Sequence, residues 1–118
     1  MSPKVQKFSP ELLSHTATRL RALADEVRLR ILLRLRAGEC NVTSLVIDLG
    51  VAQASVSKHL ALLRQSGFVK VRRDGANSFY SIRDESLFEV LRITFEGVRR
   101  LHSETTSAIG IRASNFEI

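Results

Sequence analysis

The sequence predicts a mainly α-helical domain that carries one β-hairpin. Apolar residues recur at three- and four-residue spacing through most of the chain. Two short segments near the middle instead alternate β-branched or aromatic residues with polar ones, as strands do. At 118 residues the chain has room for one compact domain. We therefore expect a single domain over residues 1–118, with tails at 1–8 and 103–118, the second without an assigned structure.

Two amphipathic helices are predicted in the first third of the chain. Ser9, Pro10 and Glu11 are typical of a helix start, because a hydroxyl caps, proline presets φ and an acid suits the positive end of the dipole. Asp25 is the predicted cap of the second helix, which Gly38 ends. The apolar stripes are Leu12, Leu13, Thr16, Ala17, Leu20, Leu23 and Ala24 in the first helix, and Val27, Ile31, Leu32 and Leu35 in the second.

A third and a fourth helix follow in close succession. The third is predicted to begin near Thr43, and Gly50 interrupts it shortly before the fourth begins. Ser66 and Gly67 stop the fourth helix. The apolar positions are Leu45, Val46 and Leu49 in the third helix, and Val56, Leu60 and Leu63 in the fourth.

The hairpin and a last helix complete the domain. Residues 68–72 and 78–82 are the predicted strands, and Asp74 followed by Gly75 is a tight-turn signal between them. The last helix is expected to start at Asp84, with one apolar face formed by Leu87, Phe88, Leu91, Phe95, Val98 and Leu101. The order α-α-α-α-β-β-α is that of a winged helix-turn-helix, in which the hairpin is the wing.

The charge distribution favours a polyanionic partner. The chain carries 18 Lys and Arg against 12 acids, a net charge of +6. Between Gln53 and Arg83, six cations oppose one acid, Asp74, so this segment holds +5 of that excess. A basic, merely solvated surface would explain the composition alone, but here the charge coincides with the fourth helix and the wing, as in nucleic-acid-binding proteins.

The start of the fourth helix is predicted to read DNA in the major groove. A reading helix needs exposed side chains that hydrogen-bond to bases, together with cations. The wing would add phosphate contacts. The predicted DNA-binding residues are Gln53, Ser55, Ser57, Lys58, His59 and Arg64 in the helix, and Arg72 and Arg73 in the wing. Taken in isolation, residues 57–59 are more typical of a solvated helix face, and it is the turn, the hairpin and the local charge excess together that favour DNA reading.

Residues 24–32, residues 50–60 and the wing together resemble the ArsR/SmtB family of bacterial repressors, over about residues 17–102. The resemblance implies a dimeric winged helix that occupies an operator and leaves it when an inducer binds. The chain departs from the family at Ala52, where a Ser often caps the recognition helix; losing a cap costs about 1 kcal/mol.

A homodimer through the first and last helices is predicted as well. Their apolar stripes exceed what the small central unit can cover, and exposed patches of this kind mark interfaces. The resemblance implies the same pair of helices. The predicted interface residues are Leu12, Thr16, Leu20 and Leu23 in the first helix, and Leu87, Leu91, Phe95 and Val98 in the last.

No metal site or cofactor is predicted. The positions at which the resemblance implies metal ligands hold Asn41 and Thr43 at the third helix, and Asp84, Ser86, Gly97 and Arg100 at the last. Among the second set only Asp84 could ligate, whereas zinc needs about four ligands. An alternative metal site would combine His15 and His102 with Glu11 or Glu104. The single cysteine, Cys40, is expected to be a small buried residue rather than a redox switch.

An enzyme is not expected. Asp48, Ser57 and His59 are residue types that hydrolases use, but they fall on the helices of the reading unit without a nucleophile motif. Neither a membrane span nor a signal peptide is predicted, and one cysteine suits a reducing compartment, so we expect a cytoplasmic protein whose inducer is unknown. Two alternatives stay open: a winged-helix module for protein–protein contact, and an architectural DNA-binding protein without an operator.

Overall fold

The computed structural model describes residues 7–103, so the predicted tails lie almost wholly outside the described residues. The chain divides into two compact units, Met1–Arg83 and Asp84–Ile118. The first unit holds α1 (Pro10–Leu23), α2 (Glu26–Arg36), β1 (Cys40–Asn41), α3 (Val42–Leu49), α4 (Gln53–Gln65), β2 (Val69–Asp74) and β3 (Asn77–Ile82), and the second holds α5 (Leu87–Leu101). This is the winged helix-turn-helix that the sequence predicts, with one additional short strand.

Side-chain caps fix the starts of the first three helices. Ser9 Oγ accepts a hydrogen bond from the N–H of Leu12 at 3.0 Å, which confirms the predicted cap of α1. Asp25 Oδ1 accepts from the N–H of Arg28 at 3.0 Å, and this bond lowers the pKa of Asp25. Asn41 caps α3 in the same way, so α3 begins at Val42, slightly earlier than predicted.

The core of the first unit lies between α2, α3, α4 and the hairpin. The predicted apolar stripe of α2 is buried at three of its four positions, whereas Val27 is only half-buried. The predicted stripe of α4 is buried throughout. The interior consists of Ile31, Leu32, Leu35, Leu45, Val56, Leu60, Leu63, Phe68 and Val69, with Ala22, Leu23 and Cys40 also buried. This burial leaves the opposite faces of α4 and of the hairpin directed to solvent.

Helices α3 and α4 form the helix-turn-helix. Three residues, 50–52, join them, and the chain bends by 116° at this break. Gly50 makes the turn with a left-handed φ of +65°, a conformation that favours glycine, and its N–H donates to the carbonyl of Val46. No single helix in the described range 7–103 is long and apolar enough to span a membrane; α3 and α4 reach that length and composition only as a pair across the bend.

The wing is a hairpin that lies in a three-stranded antiparallel sheet of order β1-β3-β2. Strand β1 was not predicted: Cys40 pairs with Tyr80 and Asn41 with Phe79, and two residues are too few to show alternation. The hairpin also extends further than expected, because Asp74 pairs with Asn77. Only two residues therefore turn the chain, and the first of them, Gly75, has a φ of +60°.

The second unit is described from Asp84 to Ser103 and contains α5. The helix begins at Leu87 rather than at the predicted Asp84. Asp84 Oδ1 accepts from the N–H of Ser86 at 3.0 Å and from its hydroxyl at 2.6 Å, and this local turn competes with helix formation. Leu87 and Leu91 are buried, whereas Val90, Ile93, Val98 and Leu101 are exposed apolar residues.

Candidate nucleic-acid interface

The recognition helix α4 starts without a side-chain cap. Ala52 occupies the cap position and makes no side-chain hydrogen bond, as the sequence predicts. The first turn has the ordinary first hydrogen bond of a helix, from the Val56 N–H to the Ala52 carbonyl at 3.0 Å, and the fully buried Val56 side chain packs it against the core. Burial of Val56, Leu60 and Leu63 thus sets the rotation of the helix about its axis, which decides the residues that face solvent.

Three predicted reading residues are exposed at the start of α4. Gln53, Ser57 and Lys58 are all exposed, while Ser55 is half-buried. Within residues 7–103, the side chains of Gln53, Ser57 and Lys58 have no hydrogen-bond or ion-pair partner in the protein. An amide, a hydroxyl and an ammonium group whose donors and acceptors are unused are the groups that a major-groove reader offers to bases and phosphates. Arg64, near the far end of the helix, is exposed too.

His59 is placed differently from its neighbours on α4. Its side chain is 20% exposed, with Nε2 3.9 Å from Asp25 Oδ1 and Nδ1 3.2 Å from Arg28 Nη1. Because a guanidinium group can only donate, Nδ1 accepts this hydrogen bond through its lone pair. His59 thus connects the recognition helix to the start of α2, and its contribution to DNA reading stays a prediction.

Arg28 is the centre of this connection. Its Nε donates to the carbonyl of Ala22 at 2.7 Å and its Nη2 to the carbonyl of Arg21 at 3.0 Å, while Nη1 reaches His59. The Arg28 side chain is only 15% exposed, and Asp25 Oδ2 lies 3.9 Å away. One side chain therefore joins the end of α1, the start of α2 and the recognition helix. Sequence periodicity placed Arg28 off the apolar stripe of α2 but gave no sign of these partners.

Two other arginines of α2 hold α3, the first helix of the helix-turn-helix. Arg34 Nε donates to Asp48 Oδ2 at 2.8 Å. Arg30 Nη2 donates to the carbonyl of Leu49 at 2.6 Å, at the last turn of α3, where carbonyl groups lack partners within the helix. Asp48 is consequently an ion-pair partner that ties α3 to α2.

The two predicted wing arginines have different surroundings. Arg72 forms two hydrogen bonds with the Glu39 carboxylate, at 2.7 and 3.3 Å, and its guanidinium lies 4.8 Å from the centre of the Phe79 ring. The Arg72 bond holds the pKa of Glu39 below its ordinary value. Arg73 is exposed and, among the described residues, has no hydrogen-bond or ion-pair partner. Arg73 is therefore free to meet a phosphate, whereas Arg72 would first have to leave Glu39.

The predicted interface residues divide into exposed and buried groups. In α1, Leu12 and Leu20 are each 51% exposed and Thr16 is exposed, but Leu23 is buried. In α5, Leu87 and Leu91 are buried and Phe95 is half-buried, which leaves Val98 as the exposed member of the predicted set. The burial of Leu23, Leu87 and Leu91 corrects the expectation that they lie on an open stripe. The large exposed apolar residues of these regions are Phe8, Leu12, Leu13 and Leu20 in or just before α1, and Val90, Ile93, Val98 and Leu101 in α5.

The residues considered as metal ligands or as a redox switch are not arranged for these roles in the described part of the chain. Cys40 is a buried free thiol, and burial raises its pKa, so the reactive thiolate is disfavoured. Asp84 is engaged by Ser86. Residues 7–103 contain no group of three or more His, Cys, Asp or Glu side chains close enough to hold a metal ion. Glu104, one member of the weak alternative with His15 and His102, lies outside the described residues.

Known relatives of the chain are bacterial transcriptional regulators rather than enzymes. The family model for bacterial regulatory proteins of the arsR family matches residues 25–71. The chain is 34% identical over 94 residues to a Synechocystis transcriptional repressor described as an SmtB homolog, an alignment that covers 75% of this chain and 71% of the relative. It is 37% identical to a probable mercury resistance operon repressor of Streptomyces lividans, of which it spans 62%.

Solved structures give the same result. The crystal structure of Rv0081 from Mycobacterium tuberculosis is similar with a TM-score of 0.72 and 32% identity, over 81% of this chain and 97% of that one. A homodimeric winged helix-turn-helix DNA-binding domain from Mycobacterium bovis matches with a TM-score of 0.68 and 28% identity, over 84% of this chain and 95% of the other. The order of elements, the bent helix pair, the wing and these likenesses agree, and the chain belongs to the ArsR family of bacterial regulatory proteins.

Proposed function

We propose that the protein is a transcriptional repressor that reads an inverted-repeat operator through α4. The observation that carries this proposal is the first turn and a half of α4, where Gln53, Ser57 and Lys58 are exposed without partners in the described range. Gln can bond adenine through two hydrogen bonds, Ser suits several bases, and Lys meets guanine or phosphate. Arg73 in the wing supplies a further phosphate contact.

We also propose that the operator-bound form is a homodimer joined through exposed residues of α1 and α5. Each helix exposes large apolar side chains, and apolar patches of this kind on a small protein mark interaction surfaces. On α5, exposure favours Val90, Ile93, Val98 and Leu101 over the buried Leu87 and Leu91. The homodimeric relative from Mycobacterium bovis supports this assembly. A two-fold dimer places two recognition helices about one DNA turn, roughly 34–36 Å, apart.

The inducer is proposed to be something other than the metal ions implied by the family resemblance. Ser86, Gly97 and Arg100 stand where that resemblance implies ligands, and an arginine opposes a bound cation. We therefore expect zinc, cadmium, nickel and arsenite at micromolar levels to leave a protein–DNA complex intact in a gel-shift assay. Release of DNA by one equivalent of a metal would contradict this expectation, and His15 and His102 would then be the residues to replace.

Selection of DNA by the full chain tests the function. A random-sequence duplex library is incubated with the protein at fixed salt, and the retained DNA is sequenced over successive rounds. The proposal predicts enrichment of an inverted repeat whose half-sites lie about 10 base pairs, or a multiple of that, apart. Retention without enrichment would instead identify an architectural DNA-binding protein, and no retention would favour a module for protein contact.

A further inference from the structure

A cleft of about 470 Å³ lies within the first unit, between α1, the start of α2 and the end of α4. Its volume is in the range of small-molecule sites, about 300–1,000 Å³. The residues that line it include four that carry or can carry a positive charge, His15, Arg19, Arg21 and Arg28, and no carboxylate. Leu62, an exposed leucine of α4, contributes apolar surface to the same cleft. A cationic rim beside an apolar wall suits an organic anion.

The arginines of the cleft are arranged as a preformed anion site. Arg28 is fixed by hydrogen bonds to the carbonyls of Ala22 and Arg21, which leave its charge in place. Arg28 Nη1 also forms an ion pair with Asp25 Oδ2 at 3.9 Å, a distance too long for a hydrogen bond, so a carboxylate in the cleft can still take a hydrogen bond from this guanidinium. The Arg21 side chain is exposed and, among the described residues, has no partner. One guanidinium that is fixed by hydrogen bonds and one that has no protein partner in the described range line the same cleft, and together they can bind a carboxylate.

We propose that this cleft binds a small organic carboxylate with an apolar body, and that its occupation weakens DNA binding. The exposed apolar side chain of Leu62 favours an organic acid over inorganic phosphate, which would leave this side chain in water. The second half of the proposal rests on the proposed function, because it concerns the release of DNA. In that case the inducer, proposed above to be something other than a metal ion, is an organic carboxylate.

Arg28 provides the link from the cleft to the recognition helix. Its Nη1 donates to His59 Nδ1 at 3.2 Å, and His59 belongs to α4. A carboxylate in the cleft competes for the same guanidinium, because its negative charge adds an ion-pair attraction that the imidazole lone pair of His59 lacks. Leu62 and Gln65 bring the later turns of α4 to the cleft wall as well. A ligand in the cleft would therefore contact both α4, the proposed reading helix, and Arg28, the side chain that connects α4 to α2.

The binding half is tested with 2-naphthoate as the probe and 2-naphthylmethanol as its neutral counterpart. Each is titrated into the ¹⁵N-labelled full chain while amide chemical shifts are recorded. The proposal predicts saturable shifts with naphthoate at residues 15–28 and 62–66, and Arg21→Gln should weaken this binding by about tenfold or more. Arg83→Gln, which removes an exposed arginine outside the cleft, should bind naphthoate as the wild type does. Equal binding of the alcohol, displacement of naphthoate by inorganic phosphate, or absence of saturable shifts would overturn the proposal.

The regulatory half is tested on DNA obtained from the library selection. Saturating naphthoate should raise the dissociation constant for that DNA by about tenfold, within the usual range of allosteric coupling. Arg21→Gln should bind the DNA normally and lose the response, whereas Arg83→Gln should retain it. DNA binding that is unchanged by a bound naphthoate overturns the regulatory half alone. Failure to bind any DNA, with naphthoate still in the cleft, would instead contradict the proposed function and leave the ligand site intact.

Discussion

His59 lies at the edge of the buried face of α4, and this position determines its contacts. It follows the buried Val56 by three residues and precedes the buried Leu63 by four, so its ring is drawn toward α2. There it meets Arg28, 31 residues earlier in the chain. Helical periodicity placed His59 correctly on α4, but it could not supply a partner from another helix. A polar side chain between the buried and the outer face can read DNA or anchor the helix to its neighbours, and only tertiary contacts decide between these two roles.

Removal of the His59 ring is expected to destabilise the domain. In His59→Ala the partly buried Arg28 loses its Nη1 acceptor, and an unsatisfied buried group costs about 1–3 kcal/mol. Urea unfolding followed by circular dichroism measures the loss. Ser57→Ala, a neighbouring change on the exposed face, is the matched control and should change the free energy of unfolding by less than about 0.5 kcal/mol. If both variants unfolded at the same urea concentration, His59 would have no anchoring role.

The two wing arginines, Arg72 and Arg73, occupy neighbouring positions of β2. Successive side chains of a strand point to opposite faces of the sheet. Arg72 is directed to Glu39 and the Phe79 ring, and Arg73 to solvent. The charge pattern of the sequence treated them as equivalent because both are arginines next to a turn. The partner that separates them, Glu39, lies before β1, the strand that the sequence did not reveal.

Arg73→Ala is expected to reduce the salt dependence of DNA binding. Each lost phosphate contact flattens the slope of log K against log salt by about 0.9, counted once per subunit. Arg72→Ala serves as the comparison and should flatten the slope less, because Arg72 is already paired with Glu39. Fluorescence anisotropy with labelled duplex over a series of salt concentrations gives both slopes. A slope in Arg73→Ala equal to that of the wild type would exclude contact of this wing residue with the backbone.

Most elements could be predicted because their signals are local. Ser9 and Asp25 cap the predicted helices, Gly50 makes the predicted turn, and Gly75 turns the hairpin. Strand β1 and the late start of α5 could not be predicted, for two different reasons. The first depends on pairing with residues 79 and 80, far along the chain, and the second on the hydrogen bonds by which Asp84 stabilises a turn instead of a helix.

The candidate site was only partly accessible from the sequence. Exposed polar positions at the start of α4 follow from the spacing of the buried Val56 and Leu60, and Gln53, Ser57 and Lys58 are exposed in the structure. The sequence did not show which apolar residues of α5 are exposed to solvent, because that helix has two apolar faces. Leu87 and Leu91 lie on the buried face, and Val90 and Ile93 are exposed. A helix that is apolar on two sides gives no sequence signal for the side that the monomer itself buries.

Assembly of the homodimer is tested by placing a charge on the exposed face of α1. Leu20 is 51% exposed, so Leu20→Asp should leave the monomer folded and disrupt a dimer that buries this residue. Sedimentation should show a monomer, with much weaker DNA binding. Ile47→Asp is the matched control: Ile47 is 73% exposed on α3, outside the proposed interface, and its replacement should leave the dimer intact. A dimeric Leu20→Asp would show that the subunits associate elsewhere.

Sequence-specific binding through α4 is the central claim, and a single titration tests it most directly. The selected operator and a scrambled duplex of equal length are titrated at the same salt concentration with the wild type and with Gln53→Ala/Ser57→Ala. The wild type should bind the operator about 10³-fold or more tightly than the scrambled duplex. The double variant should lose most of this preference, at about 1–3 kcal/mol per base contact, while it binds scrambled DNA as before. Equal affinity of the wild type for both duplexes, or an unchanged preference in the folded double variant, would contradict the assignment of α4 as the reading helix.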